Sequence, residues 1–281
     1  MNRQQTQRVA NGLITAVSAI VVIPIILVVV YTIVRGIGVI NWQFITQFPT
    51  NGMTEGGIFP AIVGTILLTF GTAIAAIPLG ICAAIYLAEY AKENRLTRTI
   101  RLAIVNLAGI PSIVYGLFGL GVFVLFLNMG TSIIAGSLTL GLMTLPVVIS
   151  TAEEAINTVP QEFRMVSYSV GATRWQTVRY QILPQATPGI ITGVILGLGR
   201  AAGETAPILF TAAAFYLPRL PESMFDQTMA LPYHLYVIAT QVPGMPLDIQ
   251  FATALVLLFI VLSMILVATL IRTTMRRRRE W

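Results

Sequence analysis

An arginine and a glutamate one helical turn apart, Arg200 and Glu204, stand inside an apolar stretch that runs from Gly189 to Ala214. At about 100° per residue they fall in the same arc, about 80° wide, as Gly189, Gly193 and Gly197. Glycines spaced by four let helices approach closely in lipid, so this face is expected to turn into a bundle or a subunit interface. Both charges are then expected to be kept from hydrocarbon, where they are costly. Two chemistries fit. The pair is an internal ion bridge that locks helices together. Alternatively, Arg200 meets an anionic cargo, because its planar fork holds an oxyanion in two hydrogen bonds. Glu204 would then hold Arg200 in place and lower the positive potential, keeping binding weak enough for passage. Thr205, next in the chain, joins them as a candidate pathway residue.

A second constellation, the segment 151–187, is polar between two apolar runs. It opens on Glu153 and Glu154, continues through Glu162 and Arg164 in helix-friendly sequence, and reaches Gly171-Ala172-Thr173-Arg174. Gly171 suits a turn with positive φ, and Thr173 is a natural N-cap for a helix starting at Arg174. Leu183-Pro184 closes the segment, and Pro184 with Pro188 is expected to end that helix and start the next. A helix-turn-helix knob of this kind suits a groove in a partner protein. An ordinary long loop is the other reading, although structureless loops beyond about 15 residues are uncommon.

The elements that must position these residues are membrane spans. Of the 281 residues, 56% are hydrophobic and 10% charged, and the mean hydropathy is +0.83. Soluble chains carry about 25% charged residues. Six stretches reach the length of about 20 apolar residues that a spanning helix needs. They run about 12–34, 60–88, 102–127, 133–150, 189–214 and 251–271, giving an all-α integral membrane protein. The first is expected to be a retained helix, since its apolar core is too long for a signal peptide and no cleavage pattern follows. Pro78, Pro111 and Pro146 are expected to bend the second, third and fourth spans.

Charge sets the orientation. Arg3, Arg8, Lys92, Arg95, Arg98, Arg101, Arg164, Arg174, Arg179, Arg272 and Arg276 to Arg279 fall on one side, leaving Arg35 and Arg219 on the other. Both termini are therefore expected in the cytoplasm. The net charge of +6 reads as this anchoring, with some attraction to anionic membrane lipid and no nucleic-acid partner. Cys82 is alone, which rules out a disulfide within the chain. The lone His234, in an outer segment rich in proline, is expected at a surface or interface.

Gly171 followed by Leu183-Pro184 resembles the cytoplasmic signature of ATP-binding-cassette importer permeases. Gly171 to Arg179, Gly203-Glu204-Thr205-Ala206-Pro207 and the run Gly56 to Thr65 resemble, more narrowly, the PstA family of phosphate permeases. The signature's opening Glu-Ala-Ala is Met165-Val166-Ser167 here, so its acidic contact would move to Glu162 or to Glu153 and Glu154. The resemblance implies a MetI-like bundle of six transmembrane helices with a cytoplasmic coupling helix, in a bacterial cytoplasmic (inner) membrane. The implied division is an N-terminal helix and outer loop (1–59), the permease domain (60–272) and a basic tail (273–281).

The resemblance also implies partners: a homologous permease (PstC), two copies of an ATPase (PstB) that uses ATP and Mg, and an extracytoplasmic phosphate-binding protein (PstS). The residues agree that the motor is elsewhere, because no G-x-x-x-x-G-K-[ST] loop precedes Lys92 or occurs elsewhere. No bound cofactor and no enzymatic activity are expected of this chain, which lacks H-E-x-x-H, G-x-S-x-G and paired intramembrane aspartates. Another oxyanion (sulfate, molybdate or tungstate) and a passive anion channel are the alternatives to phosphate import.

Overall fold

Apolar runs of this length form helices because hydrocarbon offers the backbone no other hydrogen-bond partner. The structure is a computed structural model and describes residues 3–277. Chain order is α1 (Arg3–Gly36), α2 (Trp42–Thr46), a small hairpin of β1 (Pro49–Thr50) and β2 (Glu55–Gly56), and α3 (Phe59–Ile85), which ends in a π turn, Tyr86–Tyr90. Then come α4 (Arg95–Ala108), α5 (Ser112–Gly119) with a π turn over Leu120–Phe126, and α6 (Ile133–Asn157). The knob follows as α7 (Gln161–Ser169) and α8 (Arg174–Thr177), a π turn over Val178–Ile182, then α9 (Leu183–Ala202). The chain closes with α10 (Ala206–Thr211), α11 (Leu231–Thr240) and α12 (Leu247–Arg277). The tail arginines Arg278 and Arg279 lie outside the described residues.

Five of these helical stretches are long and apolar enough to cross a membrane, and the pair α4 and α5 makes a sixth if taken as one span. Helix α6 is the most deeply buried and packs between α3 and α9. Small residues bring the three together. A Cβ on Gly80 of α3 would lie 2.7 Å from the Val148 side chain, and one on Gly189 of α9 would lie 2.5 Å from the Ala155 Cβ. At the periphery, α1 leans on α12, with the Gly36 backbone against Phe251 and with Tyr31 edge-on to Phe251 at 5.2 Å. Away from that contact, α1 exposes large apolar side chains from Leu13 to Val34, as suits lipid.

Three spans end differently from the expectation. The third, expected as one helix over 102–127, is broken into α4 and α5, whose axes differ by 103°. Pro111 donates no hydrogen bond and disfavours a helical Ile110, and α5 is held in its turned position by packing on α10. A Cβ on Gly116 of α5 would come within 2.9 Å of the Ala206 carbonyl oxygen. The fourth span continues to Asn157, so Glu153 and Glu154 belong to its last turns and not to the knob. Pro78 and Pro146 sit within continuous α3 and α6.

The fifth span neither starts at Pro184 nor reaches Ala214. A continuous helical stretch runs from Arg174 to Ala202, then breaks at Gly203–Thr205 before α10. Pro184 is accommodated because the chain has already switched to a π turn at Val178–Ile182. The wider turn absorbs the hydrogen bond that proline cannot donate.

The end of the bundle opposite the knob is capped by α11 and its flanking loops. Met229 and Leu231 are fully buried, and the Leu231 amide donates to Thr65 Oγ1 of α3 at 2.8 Å. Contrary to the expectation of a surface position, His234 of α11 is 3% exposed. Burial pushes its pKa down to about 4, so the ring is neutral, and its Nδ1 has no hydrogen-bond partner among the described residues.

Candidate functional site

The α9–α10 break carries the first site. Arg200 is in the last turn of α9, where the helix dipole favours a cation. The amides of Gly203 and Glu204 bond back to the Arg200 and Ala201 carbonyls at 3.1 and 3.3 Å, tightening the end of the helix. Thr205 precedes α10, and its carbonyl accepts from the Leu209 amide at 3.1 Å. The break therefore places Glu204 beside the helix end, with its Oε1 3.2 Å from Arg200 Nε. Tyr115 of α5, whose hydroxyl donates to the Leu107 carbonyl at 2.9 Å, lies within electrostatic reach of Arg200.

The arginine side chain is 42% exposed and the glutamate 17%. Facing lipid, such an arginine would be expensive, so this face requires water or another polypeptide against it. Gly189, Gly193 and Gly197 do not share that opening. They pack on Ala155, Thr151 and Thr144 with Val148 of α6, so the glycine face closes within the chain and the charges lie beyond its end.

The knob is the second site. Helix α7 ends as Gly171 takes φ +81°, with its amide donating to the Tyr168 carbonyl and that of Ala172 to Ser167. Thr173 then starts α8 with a reciprocal cap. Its Oγ1 accepts from the Gln176 amide at 3.3 Å, while Gln176 Oε1 accepts from the Thr173 amide at 2.8 Å. A buried hydrogen bond between the Ser167 and Thr177 hydroxyls, 2.8 Å long, braces the two arms. Arg174 lies over the Tyr90 ring at 5.0 Å.

Large apolar side chains remain uncovered on this small element, with Val166 at 65%, Val170 at 79% and Tyr180 at 64% exposure. A groove of about 410 Å³ runs between them, with Glu162, Gln176 and Gln181 at its edges. Leu183 and Pro184 stand where the π turn passes into α9. Glu153 points elsewhere. Its Oε1 accepts from Arg101 Nε at 2.7 Å, in a cleft that Glu154 also lines.

The sequence reading missed Glu89. It is buried at the end of α3 and takes both Nε (3.1 Å) and Nη2 (2.6 Å) of Arg164 on one oxygen. Its signal was that it is the only charged residue in the apolar run 60–91. No group of three or more His, Cys, Asp or Glu able to hold a metal occurs among the described residues.

A helical membrane bundle with an uncovered apolar knob, joined by one helix to a charged break, is the frame of a transport permease. Residues 76–280 match the family of binding-protein-dependent transport system inner membrane components, and the chain belongs to it. It is a permease subunit of an ATP-binding-cassette importer. A probable ABC transporter permease, YqgI of Bacillus subtilis, is 36% identical over 86% of each chain. The phosphate transport system permease PstA 1 of Mycobacterium tuberculosis H37Rv is 35% identical over 80% of this chain and 72% of its own. An inward-facing MetNI methionine transporter structure aligns with a TM-score of 0.62 at 17% identity, over 76% of this chain and 94% of that one, which shows the shared MetI-like fold.

Proposed function

We propose that this chain forms half of the translocation path for inorganic phosphate in an ATP-driven importer. The observation that carries this reading is the Arg200–Glu204 pair, open at a helix break and joined to the knob by the helical stretch Arg174–Ala202. Arg200 presents its fork to the oxyanion, Glu204 holds the fork while the path is empty, and Thr205 lies alongside. Phosphate carrying a proton can donate a hydrogen bond to Glu204, which fully ionised sulfate cannot. The PstA relatives support the same cargo.

A homologous permease of the PstC kind covers the Arg200 face, and a PstS-like binding protein delivers phosphate on the α11 side. Of two PstB-like ATPases in the complex, using ATP and Mg, one takes this chain's knob through Glu162, Gly171, Ala172, Thr173, Arg174, Leu183 and Pro184. Both termini and the knob face the cytoplasm, in keeping with the arginines clustered at that end.

The test is uptake of labelled phosphate by the co-purified complex in vesicles, with sulfate, molybdate and tungstate as competitors. Arg200→Ala abolishes uptake while the complex still assembles. Unchanged uptake removes Arg200 from the path, and stronger competition by another oxyanion reassigns the cargo. Uptake that proceeds without ATP makes the protein a channel.

A further inference from the structure

Three elements meet at one guanidinium. Glu89 sits in the π turn that closes α3, Ile156 lies in the last turn of α6 with Val159 just beyond it, and Arg164 is carried by α7 of the knob. Arg164 Nε and Nη2 grip Glu89, Nη1 donates to the Val159 carbonyl at 2.7 Å, and Nη2 donates to the Ile156 carbonyl at 3.1 Å. The Ile156 carbonyl, which also accepts from the Val159 amide at 3.3 Å, and the Val159 carbonyl lie at or just past the C-terminal end of α6, where a positive charge suits the dipole. The Arg164 and Glu89 side chains are only 11% and 5% exposed.

A second arginine braces the same place from α4. Arg101 Nη2 donates to the Leu87 carbonyl at 3.0 Å, its Nε holds Glu153, and its Nη1 pairs with Glu93. The end of α3 is thereby tied to α6 on one side and to the knob on the other.

Stability alone is a weak reason for this arrangement. A buried ion pair pays heavily for desolvation, and apolar side chains of similar volume often serve a fold as well or better. What the fork provides is one fixed geometry between the knob and the bundle. Beside it, α7 rests on the bundle through Phe163, which packs against the buried cluster of α3, α6 and α9, and α8 through Arg174 over the Tyr90 ring; neither contact has the directional geometry of the fork.

We propose that Arg164 and Glu89 are positioning residues of energy coupling. They make the knob move as one body with the α3 and α6 ends, so that a push on the knob displaces the bundle instead of being absorbed at the link. This rests on the reading of the knob as the ATPase contact.

The test is a double-mutant comparison in the vesicle-reconstituted complex: Glu89→Gln, Arg164→Gln and both together, read by thermal midpoint, ATP hydrolysis and phosphate taken up per ATP. Each single variant leaves a buried charge unpaired and melts early. The double variant leaves none and melts closer to the wild type. Its uptake per ATP nevertheless stays about fivefold or more below the wild type, the lower end of typical coupling effects, while hydrolysis continues. A double variant that recovers uptake per ATP along with its midpoint overturns the proposal.

Arg164→Lys is the second arm. It keeps the charge but loses the planar fork, and its uptake per ATP falls while its midpoint changes little; a wild-type ratio here also overturns the proposal. Wild-type co-purification with the ATPase and wild-type phosphate uptake are the controls. Failure of the first removes the reading of the knob and this proposal with it. Failure of the second removes only the phosphate assignment, and the ratio is then read on the oxyanion that is carried.

Discussion

Of the glycines between the knob and Arg200, Gly193 leaves the least room for a Cβ, and adding one methyl there has a calculable consequence. A Cβ at Gly193 would stand 1.7 Å from Thr151 Oγ1 and 2.6 Å from the Thr151 Cβ. Rotating Thr151 removes the first clash at the expense of its hydrogen bond to the Val147 carbonyl, 2.7 Å long. It cannot remove the second, because a Cβ does not move with χ1. Helices α6 and α9 must therefore separate, and overpacking of this kind costs about 1–3 kcal/mol. The better helix propensity of alanine returns at most about 1 kcal/mol, so Gly193→Ala is destabilising overall. Arg200 lies seven residues further along the same helix, about 10 Å away, and shifts with it. The assay is the thermal midpoint of the purified complex together with phosphate uptake, both of which fall. Thr151→Ala keeps the offending Cβ and does not rescue Gly193→Ala, whereas Thr151→Gly does, measured against Thr151→Gly alone. Equal rescue by the two, or a wild-type midpoint for Gly193→Ala, refutes the reasoning.

Gly171→Val meets no atom within 4 Å of the added Cβ, so its penalty is purely the positive φ of +81°, of order 1–3 kcal/mol for a residue with a side chain. The knob reshapes, and the partner ATPase is lost on co-purification; normal co-purification and uptake count against the knob's role. Thr173→Ala removes one arm of the capping box and costs about 1 kcal/mol; amide exchange in α7 and α8 speeds up while that of α6 does not. His234 gives a pH dependence. Unfolded chains take up its proton below pH 6.5, whereas the folded state stays neutral down to about 4. Stability is thus full above pH 6.5 and falls through that window by about 1.4 kcal/mol per unit, roughly 3 kcal/mol in all. Thermal midpoints of the detergent-solubilised chain decline over this range, and His234→Leu flattens the decline.

What was legible in the sequence was local. Six apolar runs announced themselves by length, and the turn at Gly171 with the cap at Thr173 followed from residues within four positions of each other. Helix ends were not legible, because a proline's effect depends on what surrounds it. Pro111 coincides with a 103° turn because α5 has a seat on α10, whereas Pro184 passes inside a helical stretch because a π turn precedes it. Glu89 and Arg164 are 75 residues apart, so their meeting is a property of the packed bundle.

The continuity of Arg174 to Ala202 changes how the two sites are related. The 26 residue-to-residue steps from Arg174 to Arg200 make a strut about 39 Å long if helical throughout, comparable to the hydrocarbon thickness of about 30 Å. A strut transmits a push only if its base cannot rotate on its own, and its regular α-helical bonding is interrupted at the π turn Val178–Ile182, just above the knob. Arg164 and the Ser167–Thr177 bond lie on the knob side of that turn. The first fastens α7 to the ends of α3 and α6, and the second fastens α8 to α7. With both in place, the base of the strut is held against the bundle that surrounds it, and in the proposed coupling a displacement at the knob reaches the Arg200 break through α6 and α9 together.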